Sequence, residues 1–85
     1  MILYPICVYP QKKGAVEIEL PDFNFTVKGS DMISAMSAAV ETVTAIYNYR
    51  LAKDKEIPEP SRICDIKFVR KMRKGFKTLV YVDTE

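Results

Sequence analysis

The sequence predicts an α+β fold with its elements in the order β-β-β-α-β. Three short apolar runs come first, one long amphipathic stretch follows, and a last apolar run closes the chain after a proline-rich break. Short connections between the first three runs predict an antiparallel meander, with the final strand in the same sheet and the helix packed on one face. Because 85 residues can bury only one small core, residues 1–85 are expected to form a single domain.

The first three runs read as strands of different character. Residues 2–9 are apolar on both faces, which predicts a strand that is covered on both sides or lies against a partner. Pro5 cannot donate to a ladder, so its position should face an edge or a bulge. Residues 16–20 alternate apolar side chains with glutamates, as a half-buried strand does. The third run should place its apolar side chains on the core face: Phe23, Phe25 and Val27.

The long amphipathic stretch predicts a helix of about 24 residues, because apolar residues recur at three- and four-residue spacing. Ser30 or Asp31 is the expected N-cap. Small side chains on the helix should let its backbone sit close to the sheet, namely Ala35, Ala38 and Ala39. Pro58 and Pro60 prevent any continuation of the helix.

Residues 61–76 admit two interpretations. Ser61 could cap a short helix that ends at Gly75, or the segment could be a loop with one turn. Residues 77–84 then return as a strand that sets Val80 and Val82 on the face opposite Leu79 and Tyr81.

The residue inventory argues against catalysis. The chain has no histidine and only three glycines, so it lacks the commonest general base and cannot build a phosphate-cradling loop. A two-metal site would need a carboxylate on the first strand, and residues 2–9 contain none. Glu41 and Asp83 are far apart in the sequence, and we expect both to be solvated. We therefore expect neither an enzyme nor a metal or cofactor site.

The two cysteines and the chain's start bear on location. Cys7 and Cys64 lack any CxxC spacing and are expected to be buried, inert thiols in a reducing compartment. No apolar run approaches the length of a membrane span, and the first residues lack the features of a secretory signal. The sequence therefore predicts a cytoplasmic protein without membrane contact.

Charge is unevenly distributed, although the net charge is only +2. Seven of the thirteen basic residues lie between positions 62 and 77, where Asp65 is the only acid. This segment is either a solvated basic run or a nucleic-acid contact, in which Phe68 or Phe76 could stack on an unpaired base. The residues that would neutralise phosphates are Lys67, Arg70, Lys71, Arg73 and Lys74.

A second candidate surface is acidic. The exposed side of the second strand is either an ordinary solvated face or a patch that steers a basic partner. On the amphipathic stretch, Tyr47 lies on the apolar stripe and should join the core, whereas Tyr49 falls off it and is a candidate interface anchor. The predicted partner-binding residues are Glu17, Glu19, Asp22, Phe23 and Tyr49.

Several short motifs, taken in order, resemble one family. These are Tyr4-Pro5, Pro21-Asp22, the helix led by Gly29-Ser30-Asp31, the pentapeptide Ile57-Pro58-Glu59-Pro60-Ser61, and the closing Val80-Tyr81-Val82-Asp83. Together they resemble the HicB-type antitoxins of prokaryotic toxin-antitoxin pairs over nearly the whole chain. The sequence departs from that pattern in having Phe23-Asn24-Phe25 after Pro-Asp, and in its basic segment.

The resemblance implies a truncated ribonuclease-H-like fold without known catalysis, which self-associates and covers the active surface of a small mRNA-cleaving HicA-type toxin. Toxins of this kind must attract RNA phosphates, so an acidic antitoxin face would complement them. Many such antitoxins also carry a C-terminal DNA-binding module, which we do not expect within these 85 residues. The alternatives are a nucleic-acid-binding module that uses residues 67–77, and a homo-oligomer whose first strand pairs with its copy.

Overall fold

The computed structural model describes residues 2–67 and 75–83 and confirms the predicted fold class. One helix packs on a four-stranded antiparallel sheet with strand order β3-β2-β1-β4. The elements are β1 (Leu3–Pro10), β2 (Val16–Leu20), β3 (Phe25–Gly29), α1 (Met32–Ala52) and β4 (Phe76–Tyr81). Single 3₁₀ turns lie at Lys12–Gly14, Pro21–Phe23 and Ile63–Asp65. Among the described residues, no helix combines the length and apolarity that crossing a bilayer requires.

The first strand is internal to the sheet, because β1 pairs with β2 on one side and with β4 on the other. The alternative in which this strand pairs with a second copy of the chain does not fit the structure, because β1 lies inside the sheet and not at its edge. Pairing with β2 begins only at Cys7, so Pro5 lies beyond the end of that ladder, as a residue without an amide hydrogen should.

The helix covers one face of the sheet, which we call the helix face. Asp31 is the N-cap, and its Oδ1 accepts a 2.7 Å hydrogen bond from the backbone N–H of Ser34. Ala35 and Ala39 are fully buried against the sheet, as their small size predicted. The approach is closest at Gly29, where an added Cβ would lie 2.4 Å from the backbone nitrogen of Ala35. Only a glycine fits there.

The opposite side, which we call the rear face, is also apolar along β1. Tyr4, Ile6 and Val8 join the core beneath the helix, whereas Cys7 and Tyr9 form a second buried cluster with Ile66. The two-sided apolar pattern of the first run is thus confirmed as a strand covered on both sides.

The third strand begins two residues later than its pattern predicted. Asn24 adopts a left-handed conformation (φ 53°) that ends the 3₁₀ turn and breaks the alternation. As a result Phe23 is buried in the turn, whereas Phe25 is 49% exposed, and the prediction that Phe25 joins the core is wrong. Val27 is buried as expected.

Residues 61–67 form a loop with one turn, so the helical alternative is not seen in the described part of this segment. Backbone at Arg62 and Ile66 is extended on either side of the turn. Residues 68–74 lie outside the described range. Within β4, Val80 is buried, whereas Leu79 and Tyr81 are each 43% exposed. This confirms the prediction that Val80 lies on the face of the strand opposite Leu79 and Tyr81.

Candidate functional site

Three of the sequence motifs meet at one end of the sheet and fasten the segment after the helix. The Asp22 carboxylate accepts two hydrogen bonds from Ser61, one from the backbone N–H at 3.0 Å and one from the hydroxyl at 2.5 Å. The Tyr4 hydroxyl donates to the carbonyl of Pro58 at 2.6 Å, and burial raises the pKa of this phenol. We call these three hydrogen bonds the latch.

An aromatic pair supports the latch from the core side. The Phe23 ring packs edge-on against Tyr4 with 4.6 Å between ring centroids, and the Arg50 guanidinium lies 5.9 Å from the centroid of Phe23. These contacts join the Pro21–Phe23 turn, the first strand and the end of the helix. Three of the five motifs that carry the resemblance therefore have a structural role in this chain, which is to fix the course of residues 57–61.

Residues 65–67, which follow the latched segment, form one wall of a cleft of about 550 Å³, which we call the rear cleft. Its other wall is the end of the β2–β3 hairpin, which contributes Glu19, Pro21, Asn24, Phe25 and Thr26. Asp65, Ile66 and Lys67 line the loop wall. That wall is held by the burial of Ile66 and by a hydrogen bond from the Lys77 ammonium to the Ile66 carbonyl. The latch and these contacts fix the loop wall against the sheet.

Glu19 is the acidic group on the sheet side of the rear cleft. Strand register places it between Cys7 of β1 and Thr26 of β3. Its Oε1 atom is buried and accepts no hydrogen bond from the described residues. An unsatisfied carboxylate oxygen is costly, because the water lost on burial has not been replaced by another donor.

The surroundings of Glu19 are mixed in charge. Glu17 lies two residues earlier on the same face, opposite Tyr9 and Lys28. Asp65, across the cleft, is already paired with Arg62 at 3.0 Å, and both of those side chains are largely exposed. Since lysines also lie on the rear face, its negative character is local to the hairpin wall.

The cross-strand neighbour of Glu19 on β1 is a buried thiol, Cys7. Cys7 pairs with Glu19 on one side and with Lys77 on the other. Burial is the main cause that raises the pKa of the Cys7 thiol, which favours its protonated form. Cys64 is exposed instead, so the prediction that both cysteines are buried is wrong for the second one.

A second groove, of about 400 Å³, lies between α1 and β4. Met36 and Val40 line its helix side, and Leu79 and Tyr81 its strand side. Leu3 pairs with Tyr81 across the rear face and is 42% exposed. Within the described residues β4 pairs only with β1, so its outer edge is an edge of the sheet.

The structure separates the residues that the sequence predicts for partner contact. Glu17 and Glu19 share the rear face, whereas the carboxylate of Asp22 is engaged in the latch. Phe23 is only 7% exposed, which leaves its ring little surface for a partner. Tyr49 is 54% exposed on the helix, on the other side of the sheet from the two glutamates. Direct contact of these residues with a partner stays a prediction.

The predicted phosphate-binding residues are described only in part. Lys67 is exposed and lines the rear cleft. The other four lie outside the described residues, namely Arg70, Lys71, Arg73 and Lys74. Among the described residues, no three His, Cys, Asp or Glu side chains converge in a way that could hold a metal ion.

Sequence reasoning missed the parts of the rear cleft that come from the loop. Asp65 and Ile66 carry no motif, and no pattern linked them to the β2–β3 hairpin. The signal that could have done so was the pair Asp22 and Ser61, a carboxylate in a turn and a hydroxyl after a rigid proline segment.

Comparison with known proteins bears on the fold. No protein-family model matches the sequence, and no curated protein matches it. The structure is similar to a chain of a solved structure described as "Toxin-Antitoxin complex from Streptococcus pneumoniae", with a TM-score of 0.78 and 22% sequence identity. The match covers 96% of this chain and 69% of that one. At this level of identity the likeness shows the fold alone.

Proposed function

We propose that this chain is a HicB-type antitoxin, which binds a small, basic, mRNA-cleaving toxin of the HicA type and covers its active surface. The observation that carries the proposal is the fold likeness, over 96% of the chain, to a chain from a toxin-antitoxin complex. The motif order in the sequence supports the same assignment independently. We also propose that the truncated ribonuclease-H-like description applies to this fold.

The mechanism we favour is steric and electrostatic occlusion by the rear face. The helix face is filled by α1, whereas the rear face keeps an open cleft beside Glu19. A toxin that attracts RNA phosphates needs a positive active surface, and an acidic wall would complement it. We propose that the chain acts by this contact alone, without turnover and without a cofactor.

We propose that self-association of the chain uses the outer edge of β4, because β1 lies inside the sheet. The outer edge of β4 carries unpaired backbone groups, and exposed Leu79 and Tyr81 lie beside it. The Val82 N–H donates to the Ile2 carbonyl, so by alternation the N–H of Thr78 also faces β1 and that of Leu79 faces outward. Leu79→Pro would therefore remove a donor from the outer edge, and a shift to monomer in light scattering would support this route of self-association. Nucleic-acid contact through Lys67 and the basic residues after it stays a prediction, which a salt titration of RNA binding tests.

Co-expression tests the proposed function. The chain should restore growth to cells that express its proposed partner, a small basic mRNA-cleaving toxin of the HicA type, and the two should co-purify. Reversal of Glu17 and Glu19 to lysine should weaken the rescue in a variant whose circular dichroism is unchanged. Rescue that is unaffected by this reversal would place the interface on another surface, such as α1 or the β4 edge.

A further inference from the structure

We infer that the rear cleft is the anchor pocket for one arginine side chain of the partner protein, with Glu19 as its counter-ion. This inference rests on the proposed function and deepens it, because it names the site of contact and the chemistry that is recognised there. It starts from an unsatisfied group. The buried Oε1 of Glu19 accepts no hydrogen bond from the described residues, so a donor entering the cleft would satisfy it.

The walls of the cleft select a long cationic side chain. Pro21, Ile66 and half-exposed Phe25 offer apolar surface to an aliphatic stem, and the acidic group lies on the sheet side of the cleft. Oxygen acceptors lie on both walls, at Glu19 and Thr26 on the hairpin and at Asp65 on the loop. The five N–H donors of a guanidinium suit several acceptors at once, whereas an ammonium is a single point of charge.

Charges already present in the cleft do not fulfil this role. Asp65 already accepts from Arg62, whereas Glu19 carries the carboxylate oxygen that has no donor among the described residues. Lys67 lies on the loop wall and is exposed, and it forms no ion pair with Glu19 within the described residues. The latch and the buried Ile66 hold the two walls in place before binding, which limits the entropy that a partner must overcome.

Two substitutions on the same strand provide a matched test. Glu19→Gln and Glu17→Gln each remove one negative charge from the rear face, but only the first alters the cleft. We expect Glu19→Gln to weaken toxin binding at least about tenfold and Glu17→Gln to change it less than about threefold. Because Oε1 of Glu19 has no donor among residues 2–67 and 75–83, Glu19→Gln should leave the thermal midpoint unchanged or raise it. A large fall in that midpoint would make Glu19 a structural residue and overturn the inference.

A peptide probe tests the cleft without the toxin. Millimolar acetyl-Gly-Arg-Gly-amide should shift the backbone amide NMR signals of Glu19, Thr26 and Lys67 and leave those of β4 in place. The shifts should vanish in Glu19→Gln and persist in Glu17→Gln. Equal shifts with acetyl-Gly-Lys-Gly-amide, or no shifts with either peptide, would overturn the assignment of arginine.

The two experiments, toxin binding by the variants and the peptide titration, distinguish failure of the inference from failure of the proposed function. A toxin that binds wild type and Glu19→Gln equally well leaves the antitoxin role intact and refutes the anchor pocket. An arginine peptide that binds in the cleft, together with a candidate toxin that does not bind the chain, supports the pocket chemistry and refutes the proposed function.

Discussion

The latch should contribute a measurable part of the stability, and Asp22→Ala removes its central acceptor. The substitution deletes two hydrogen bonds, one to each oxygen of the charged carboxylate, from the Ser61 N–H at 3.0 Å and the Ser61 hydroxyl at 2.5 Å. Such bonds contribute about 1.5 to 3 kcal/mol each, and the part-exposed position favours the lower value, so the loss should be about 3 kcal/mol. For a domain of this size that corresponds to a fall of about 12 to 24 °C in Tm. Urea unfolding followed by circular dichroism measures it.

A double-mutant cycle and a matched control decide whether the latch is the cause. Ser61→Ala removes only the hydroxyl bond, so its coupling to Asp22→Ala should be about 1.5 kcal/mol. Asp65→Ala breaks an ion pair whose side chains are 78% and 56% exposed, and it should cost less than about 1 kcal/mol. The reasoning is refuted if Asp22→Ala costs no more than Asp65→Ala, or if the effects of Asp22→Ala and Ser61→Ala are additive.

Three further predictions concern packing, thiol chemistry and pH. Gly29→Ala should destabilise the fold by about 3 kcal/mol or more in urea unfolding, because the new Cβ would meet the backbone of Ala35; a loss below about 1 kcal/mol would contradict the close approach. In the native protein one thiol should react quickly with a thiol reagent and one slowly, and Cys64→Ser should abolish the fast phase; a fast phase that survives would show that buried Cys7 is accessible. The hydrogen bond from the helix N-terminus holds the pKa of Asp31 below its usual value, so its stabilisation is present above pH about 4 and lost on acidification. The Tm difference between wild type and Asp31→Ala should therefore shrink below that pH, and a difference that is constant from pH 7 to pH 3 would refute the capping role.

Much of the fold could be predicted because each element has a strong local signal. The three- and four-residue spacing of apolar residues predicted α1, and Asp31 was correctly included among its candidate caps. The alternation of side chains along β2 and β4 predicted which residues of each strand are buried and which are exposed. The two-sided apolar run predicted a strand covered on both faces, although not that β1 would lie between β2 and β4.

The errors arise where tertiary contacts or a single backbone angle override the pattern. Alternation placed Phe23 and Phe25 on one face, but the left-handed Asn24 between them separates their environments. Exposure of Cys64 follows from the 3₁₀ turn in which it lies, and nothing in the sequence fixes the orientation of that turn. The rear cleft joins the β2–β3 hairpin to a loop about forty residues later, and only the folded chain brings its two walls together.

The central claim is that this chain silences a toxin by covering the surface that cleaves RNA. The most direct measurement is messenger-RNA cleavage by the purified candidate toxin, a small basic protein, titrated with this chain. The account predicts that cleavage stops near an equimolar ratio when the toxin concentration is well above Kd. At a toxin concentration below Kd, Glu19→Gln should require about ten times more protein than wild type for half-inhibition. Undiminished cleavage in the presence of excess folded protein would contradict the account.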